Sequence, residues 1–281
     1  MSKNNYYNDA EYNNQNNNGY YNNNNNNYNN NGYFNNNNYG NMNTKYNAIE
    51  ENNHNNSYQS DYENQGFEAE LRKAFIRKVF AILSAQLLLT ALLCVISISN
   101  SDVKNFQLQN KALFYLAVGV AVIISLTLFC FIQTARKVPL NYLLLLLFTL
   151  AKAYIVSFLC ITTSTKIVFM ALAMTCALVV GLTLYAFVTK TDFTGYGHYL
   201  FIAGIVMLVI GLFLSFTNNR VMHVIFSGFS VMLFSFYLIY DVQLIAGNHE
   251  SKLDYDDYII GALILYIDII AIFEHILNIL R

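Results

Sequence analysis

The sequence predicts an all-α membrane protein, a seven-helix transmembrane bundle preceded by a disordered Asn-rich tail. The 281-residue chain is 55% hydrophobic but only 12% charged, which lies outside the usual range of soluble globular domains. Its apolar residues are concentrated in seven stretches, each close to the roughly 20 residues that a helix needs to cross the hydrocarbon core. By contrast, the first 66 residues contain 29 Asn.

Residues 1–66 are predicted to form a disordered Asn/Tyr-rich cytosolic tail, and residues 67–281 the transmembrane domain. The tail has almost no aliphatic side chains, so it cannot bury enough apolar area to offset its chain entropy. Its Tyr/Asn pattern resembles prion-like sequence, which makes self-association an alternative to a tail without a role. No basic region followed by an apolar one precedes the first span, so we expect that span to direct insertion.

Each apolar stretch is too long for a transmembrane β-strand of about 9–11 residues and is therefore expected to be a helix. Short polar connections make neighbouring helices antiparallel. In the last stretch, Glu274 and His275 leave a re-entrant segment open as an alternative. The predicted spans are 77–98, 112–134, 139–161, 166–188, 198–216, 221–246 and 258–280.

The placement of Lys and Arg in the short loops favours a cytosolic N-terminus. Eight basic residues would lie on the cytosolic side: Arg72, Lys73, Arg77, Lys78, Arg136, Lys137, Lys190 and Lys252. Five would lie on the opposite side if the last segment crosses fully: Lys104, Lys111, Lys166, Arg220 and Arg281.

Charge and motifs exclude several classes of function. The net charge of −1 indicates neither a nucleic-acid partner nor an acidic substrate. The four cysteines fall inside apolar runs without CxxC or Cys/His spacing, which argues against a zinc site and a disulfide framework. The sequence contains no GxSxG, HExxH or paired GxGD-like motif, so we expect neither an enzyme nor a cofactor.

Two aspartates at membrane depth are the main candidate site, because ionisable groups are expensive there. Asp241 lies about five residues before the cytosolic end of the sixth span, and Asp268 about ten residues into the seventh. Depths of roughly 8 and 15 Å from the same face would let two packed antiparallel helices bring the carboxyl groups together. Such a pair, which we call the aspartate pair, is expected to share one proton and to titrate as a unit.

The aspartate pair could act as a pH-sensitive gate and a transient Ca2+ site. With a shared proton it would hold the two helices together, whereas two ionised carboxylates would repel each other or attract a hard cation. Alternatively, each aspartate only hydrogen-bonds to a neighbouring helix or reaches the interface.

Five segments of the chain resemble the Bax inhibitor-1, or Lifeguard, family, and the resemblance covers essentially all of residues 70–281. These segments are IRKVFAILSAQLLLT (76–90), ARKVPLNYLLLLLFTL (135–150), TKTDFTGYG (189–197), YDVQLIAG (240–247) and DDYIIGALILYIDII (256–270). The paired transmembrane aspartates of the family fall on Asp241 and Asp268. The resemblance implies a bundle whose central seventh helix is surrounded by the other six.

The resemblance also implies a slow, pH-dependent Ca2+ leak and suppression of stress-induced cell death from endoplasmic reticulum or Golgi membranes. The expected function is therefore a pH-sensitive Ca2+ leak channel or exchanger of an intracellular membrane. Lipid, Ca2+ and protons would be its partners, and no nucleic acid is expected. The alternative is a non-transporting interaction protein that regulates cell-death proteins or ion channels.

The sequence departs from the family pattern at two charged positions. Lys152 stands in FTLAK where relatives often have Glu, and Ala271 stands where the family usually has Asn, with Glu274 following shortly afterwards. Lys152 and Glu274 are expected at similar depths, near 20 and 24 Å from the cytosolic face. They could form an ion pair, or Lys152 could extend to the interface while Glu274 is protonated.

The remaining candidates are His275 and an acidic loop. His275 follows Asp268 by seven residues, so both point to nearly the same side of the helix, about 10 Å apart. It could relay protons or bind a cation, or serve only as a hydrogen-bonded packing residue. The acidic loop residues Glu250, Asp254, Asp256 and Asp257 could attract cations to the cytosolic mouth, or form a solvated turn before a helix.

Overall fold

The computed structural model describes residues 38–247 and 252–281. Residues 59–281 form one compact unit. All the regular elements of these described ranges are helical. They are α1 (Asn38–Ser99), α2 (Ser101–Gln109), α3 (Lys111–Cys130), α4 (Ile132–Arg136), α5 (Leu140–Ile161), α6 (Thr165–Val188), α7 (Gly197–Leu214, preceded by a 3-10 turn at Thr194–Tyr196), α8 (Arg220–Ala246) and α9 (Tyr258–Leu280).

The prediction of seven spanning helices is confirmed. In the described residues, seven segments are long and apolar enough to cross a membrane, and they are carried by α1, α3, α5, α6, α7, α8 and α9. The last one is an uninterrupted helix of 23 residues, or about 34 Å. That length favours a full crossing over a re-entrant segment.

The structure differs from the prediction in three places: before the first span, directly after the first span, and at the end of the second span. Helix α1 begins at Asn38, so residues 38–66 are helical where disorder is expected, whereas residues 1–37 lie outside the described residues. A nucleated helix gains one hydrogen bond for each residue added, which favours continuing it past the apolar segment. The second span ends at Cys130 rather than 134, and α2 was not predicted.

Local sequence signals explain where several helices begin and end. The Oδ1 atom of Asn100 accepts from the backbone N–H groups of Asp102 and Val103 at the start of α2, and Asn219 caps α8 in the same way. Helix α8 ends at Ala246 and is followed by Gly247, whose φ of 69° is left-handed and therefore suits glycine. A Cβ at that position would also meet the side chain of Arg72.

Helix α9 is the most buried of the seven spans. In its most apolar stretch, 67% of the residues are buried, against 50% in that of α5 and 22% or less in those of the other spans. It packs against α5, α6 and α8, and Gly261 lies against Val79 of α1. This burial fits the expected central helix, but the central position itself stays a prediction.

The outer faces of the spans are apolar. Helix α7 has no buried residue at all, and Phe201, Leu208 and Phe213 are exposed on it. A face of this kind is stable against acyl chains rather than water. The protein is therefore a multi-pass integral membrane protein in contact with the lipid bilayer, while its orientation stays a prediction.

Candidate functional site

The structure brings Asp241 of α8 and Asp268 of α9 together. Their carboxyl groups lie within hydrogen-bonding reach of each other. Asp241 is 7% exposed and Asp268 is 4% exposed. Helices α8 and α9 are antiparallel neighbours with an extensive contact, so the two side chains meet although their depths calculated from the sequence differ by about 7 Å.

The aspartate pair lines a cavity of about 630 Å³ between α7, α8 and α9. Asp268 Oδ2 is buried and has no hydrogen-bond partner. Among the described residues that line the cavity there is no Lys or Arg, and most of the others are apolar or aromatic. The pair therefore lies in a poorly solvated site without a fixed counter-charge.

His275 lines the same cavity, as its seven-residue spacing from Asp268 predicts. Its ring stacks on Phe234 with centroids 5.9 Å apart and meets Phe226 edge-on at 5.8 Å. These contacts are consistent with a packing role for His275, while a role in proton relay or cation binding stays a prediction.

The opposite face of α9 carries a second polar cluster, directed towards α1 and α5. Lys152 Nζ lies 3.1 Å from Glu274 Oε1, and both side chains are mostly buried. This is the ion pair considered from the sequence. The arrangement separates the two buried charged groups of α9, since Asp268 contacts α8 and Glu274 contacts α5.

Hydrogen bonds extend this second cluster towards the N-terminal ends of α5 and α9. The Gln86 side-chain amide donates to Thr149 Oγ1 at 2.9 Å. Thr90 Oγ1 donates to the Gln86 carbonyl, so the Tyr266 hydroxyl, 2.7 Å away, is the donor in the Thr90–Tyr266 bond. Sequence reasoning missed these residues, although Gln86 and Thr90 are polar positions one helical turn apart in an apolar span.

Helix α2 adds a polar contact at the far end of the bundle. Gln107 is buried, and its side-chain amide donates to Ser97 Oγ at 3.2 Å and Ser157 Oγ at 3.1 Å. The sequence offered no strong signal for this contact, because a nine-residue helix in a polar connection lacks the apolar length of a span.

In the acidic loop, two of the four acidic residues are paired with Arg136. Arg136 bonds to both oxygens of Asp257 at 2.7 and 2.8 Å and to Asp254 at 2.9 Å. The two carboxylates, Asp257 first, raise the pKa of Arg136. Asp256 is exposed, and Glu250 lies outside the described residues. Arg136 offsets only one of the two negative charges of Asp254 and Asp257, so the cation-attracting role of the acidic loop stays a prediction.

We expect Arg136→Gln to loosen the loop between α8 and α9. The substitution removes the bidentate contact to Asp257 and the contact to Asp254. Amide hydrogen exchange in residues 252–257 should become faster, because the loop would lose its ionic contacts to α4 and keep weaker ones, such as the bond from Arg72 to the Leu253 carbonyl. Lys137→Gln, which removes an exposed charge next to it, is the matched control. Unchanged exchange in the Arg136 variant would contradict a clamping role.

No group of three or more His, Cys, Asp or Glu in the described ranges could hold a metal ion. The aspartate pair supplies at most two carboxylates, whereas a tight Ca2+ site needs six to eight oxygen ligands. Any Ca2+ bound there would keep part of its water shell, and the contact would be transient.

Comparison with known proteins identifies the family. Residues 72–281 match the model of the family described as Inhibitor of apoptosis-promoting Bax1. The chain is 35% identical over 214 residues to Protein lifeguard 3 of Homo sapiens, covering 75% of this chain and 69% of that protein. It is 32% identical over 212 residues to Protein lifeguard 3 of Mus musculus, covering 74% and 69%.

A plant relative shows the same similarity. The chain is 35% identical over 219 residues to the BI1-like protein of Arabidopsis thaliana, covering 76% of this chain and 82% of that protein. The matched region includes all the residues of the aspartate pair and of the second polar cluster. This seven-span membrane protein belongs to the Bax inhibitor-1 family.

Proposed function

We propose that the protein is a pH-sensitive pathway for cations, Ca2+ above all, across an internal membrane, and that the aspartate pair is its gate. One observation carries this proposal. Two carboxyl groups from neighbouring spans meet in a cavity that, among its described lining residues, has no Lys or Arg. Their state of protonation therefore controls the contact between α8 and α9.

The contact between α8 and α9 depends on the protonation of the two carboxyl groups and not on that of the other groups around the cavity. Tyr237 and Tyr240 of α8 and His275 of α9 are the other titratable groups that line the cavity, and α7 contributes none. The Tyr237 hydroxyl donates to the Leu200 carbonyl at 2.7 Å. With one shared proton the pair joins the two helices, and loss of that proton leaves two like charges in a site of low dielectric, which separates them.

We expect the Ca2+ leak from vesicles containing the purified protein to rise with pH through the titration of the pair. For one titrating proton, the flux can change by up to about tenfold per pH unit. Asp241→Asn or Asp268→Asn leaves a single carboxyl, so this response should be lost or displaced. Asp102→Asn, at an exposed position in α2, is the matched control. Identical titration curves for all four proteins would overturn the proposal.

The cellular role that we propose is Ca2+ homeostasis and suppression of stress-induced cell death in the endoplasmic reticulum or Golgi. The description of the family, as an inhibitor of apoptosis-promoting Bax1, supports the part of this role that concerns cell death. A protein that suppresses death only by docking to cell-death regulators or ion channels would show no carboxylate-dependent leak in purified form. The vesicle experiment therefore separates the two functions.

A further inference from the structure

The cavity beside the aspartate pair has the size of a small-molecule site. Its volume of about 630 Å³ lies within the range of roughly 300–1,000 Å³ that is typical of ligand pockets. Along α8 it extends from Asp241 to Phe226, or about 22 Å at 1.5 Å per residue. An extended chain of a dozen methylene groups fits within that length.

One end of the cavity has a buried carboxyl oxygen without a hydrogen-bond donor. Asp268 Oδ2 has no hydrogen-bond partner although the residue is 4% exposed and lines the cavity. The nearest candidates for a counter-charge are not available: His275 lies about 10 Å further along the helix, and Lys152 is paired with Glu274 on the opposite face. A buried carboxylate without a partner is costly, and a pair that shares one proton still carries one negative charge.

The rest of the cavity does not suit a bare metal ion. Apart from the hydroxyl groups of Ser230, Tyr237 and Tyr240, its walls are mostly apolar or aromatic, so they offer too few oxygen ligands for a Ca2+ shell. Apolar and aromatic walls instead bind an apolar body, and aromatic faces attract the methylene groups next to an ammonium as well as the charge itself. The cavity thus combines an anionic end with an apolar body.

The cavity is open to the lipid phase. Phe201 and Leu208 at its rim are 66% and 63% exposed, and exposed apolar side chains of a spanning helix face acyl chains. Asp241 lies about five residues from the end of α8, close to the depth at which polar headgroups begin. An amphiphile in the bilayer could enter with its charged group already near the aspartate pair.

We propose that this cavity binds a membrane-soluble alkyl amine, with the ammonium on the aspartate pair and the apolar body along α7 and α8. The ammonium donates hydrogen bonds to both carboxyls and satisfies Asp268 Oδ2, and it neutralises the charge that remains when the pair shares one proton. Binding uses the same two carboxyls as the proposed gate but does not require that cations pass through the protein.

The test measures binding of radiolabelled dodecylamine to the full chain in phosphatidylcholine nanodiscs, in Ca2+-free buffer, with empty nanodiscs to subtract partitioning. Dodecanol is the neutral probe of the same length. Dodecylamine should bind saturably, with Asp268→Asn weakening it about tenfold through loss of one charge-assisted contact. Met207→Trp, which fills the cavity and keeps both carboxyls, should weaken binding as well, and Asp102→Asn should leave it unchanged.

Binding of dodecanol as tight as that of dodecylamine, or equal binding of dodecylamine by all variants, would overturn the proposal. Ca2+ flux measured on the same proteins keeps the two proposals separate. Carboxylate-dependent flux without amine binding would refute the proposed amine site and leave the proposed cation pathway standing. Carboxylate-dependent amine binding without flux would support the amine site and remove the proposed pathway.

Discussion

Glu274→Leu is expected to destabilise the protein by about 3 kcal/mol, because it leaves Lys152 charged and without its partner at membrane depth. Lys152→Met should destabilise the protein as well, since it leaves the Glu274 carboxyl group without its partner. The double variant replaces both charges by apolar side chains of similar length and should recover much of the loss, with a coupling free energy of about 2 kcal/mol.

Equilibrium unfolding in mixed detergent micelles would measure these differences. Lys166→Met, which removes an exposed charge from the first turn of α6, is the matched control and should change stability by less than about 0.5 kcal/mol. Strictly additive losses in the two single variants would show that the 3.1 Å contact between Lys152 and Glu274 contributes nothing to stability.

Tyr266→Ala should destabilise the protein by about 3–5 kcal/mol, which is the usual effect of removing a large aromatic side chain from a packed core. Tyr266 is fully buried, and its ring meets Phe148 edge-on with centroids 6.0 Å apart. Tyr266→Phe keeps this packing and removes only the hydrogen bond to Thr90, so it should cost about 1 kcal/mol.

The same unfolding measurement would separate packing from hydrogen bonding at Tyr266. Tyr115→Ala is the control, because Tyr115 is 73% exposed on α3 and its removal leaves no internal cavity. If Tyr266→Phe were as damaging as Tyr266→Ala, the hydroxyl network of α1, α5 and α9 would dominate over the packing of the ring.

The spans and the aspartate pair could be predicted from the sequence because the bilayer restricts both. A helix must be apolar over about 20 residues to cross it, and an acidic residue within such a stretch needs a compensating partner. Simple depth arithmetic then matched Asp241 with Asp268 and Lys152 with Glu274, because α8, α9 and α5 cross the same slab at 1.5 Å per residue.

The contacts in the loops could not be predicted in this way. Arg136 lies among several basic loop residues, and nothing near it in the chain indicates that its partners are Asp254 and Asp257, more than a hundred residues away. The depths calculated from the sequence also say nothing about how a helix is rotated about its own axis. They could therefore not show which neighbouring helix each face of α9 contacts. Helix α2 could not be predicted because its buried contact is made by a polar side chain, Gln107, and not by an apolar pattern.

The division of α9 into two polar faces has a consequence for biosynthesis. Each acidic residue at mid-membrane depth raises the free energy of inserting a lone helix by about 3 kcal/mol, and α9 carries Asp268 and Glu274. Its two compensating residues, Asp241 and Lys152, belong to segments that leave the ribosome earlier. Insertion of α9 therefore costs the least free energy when α5 and α8 are already in the membrane beside the translocon. In that case α9 packs against both helices before it contacts lipid.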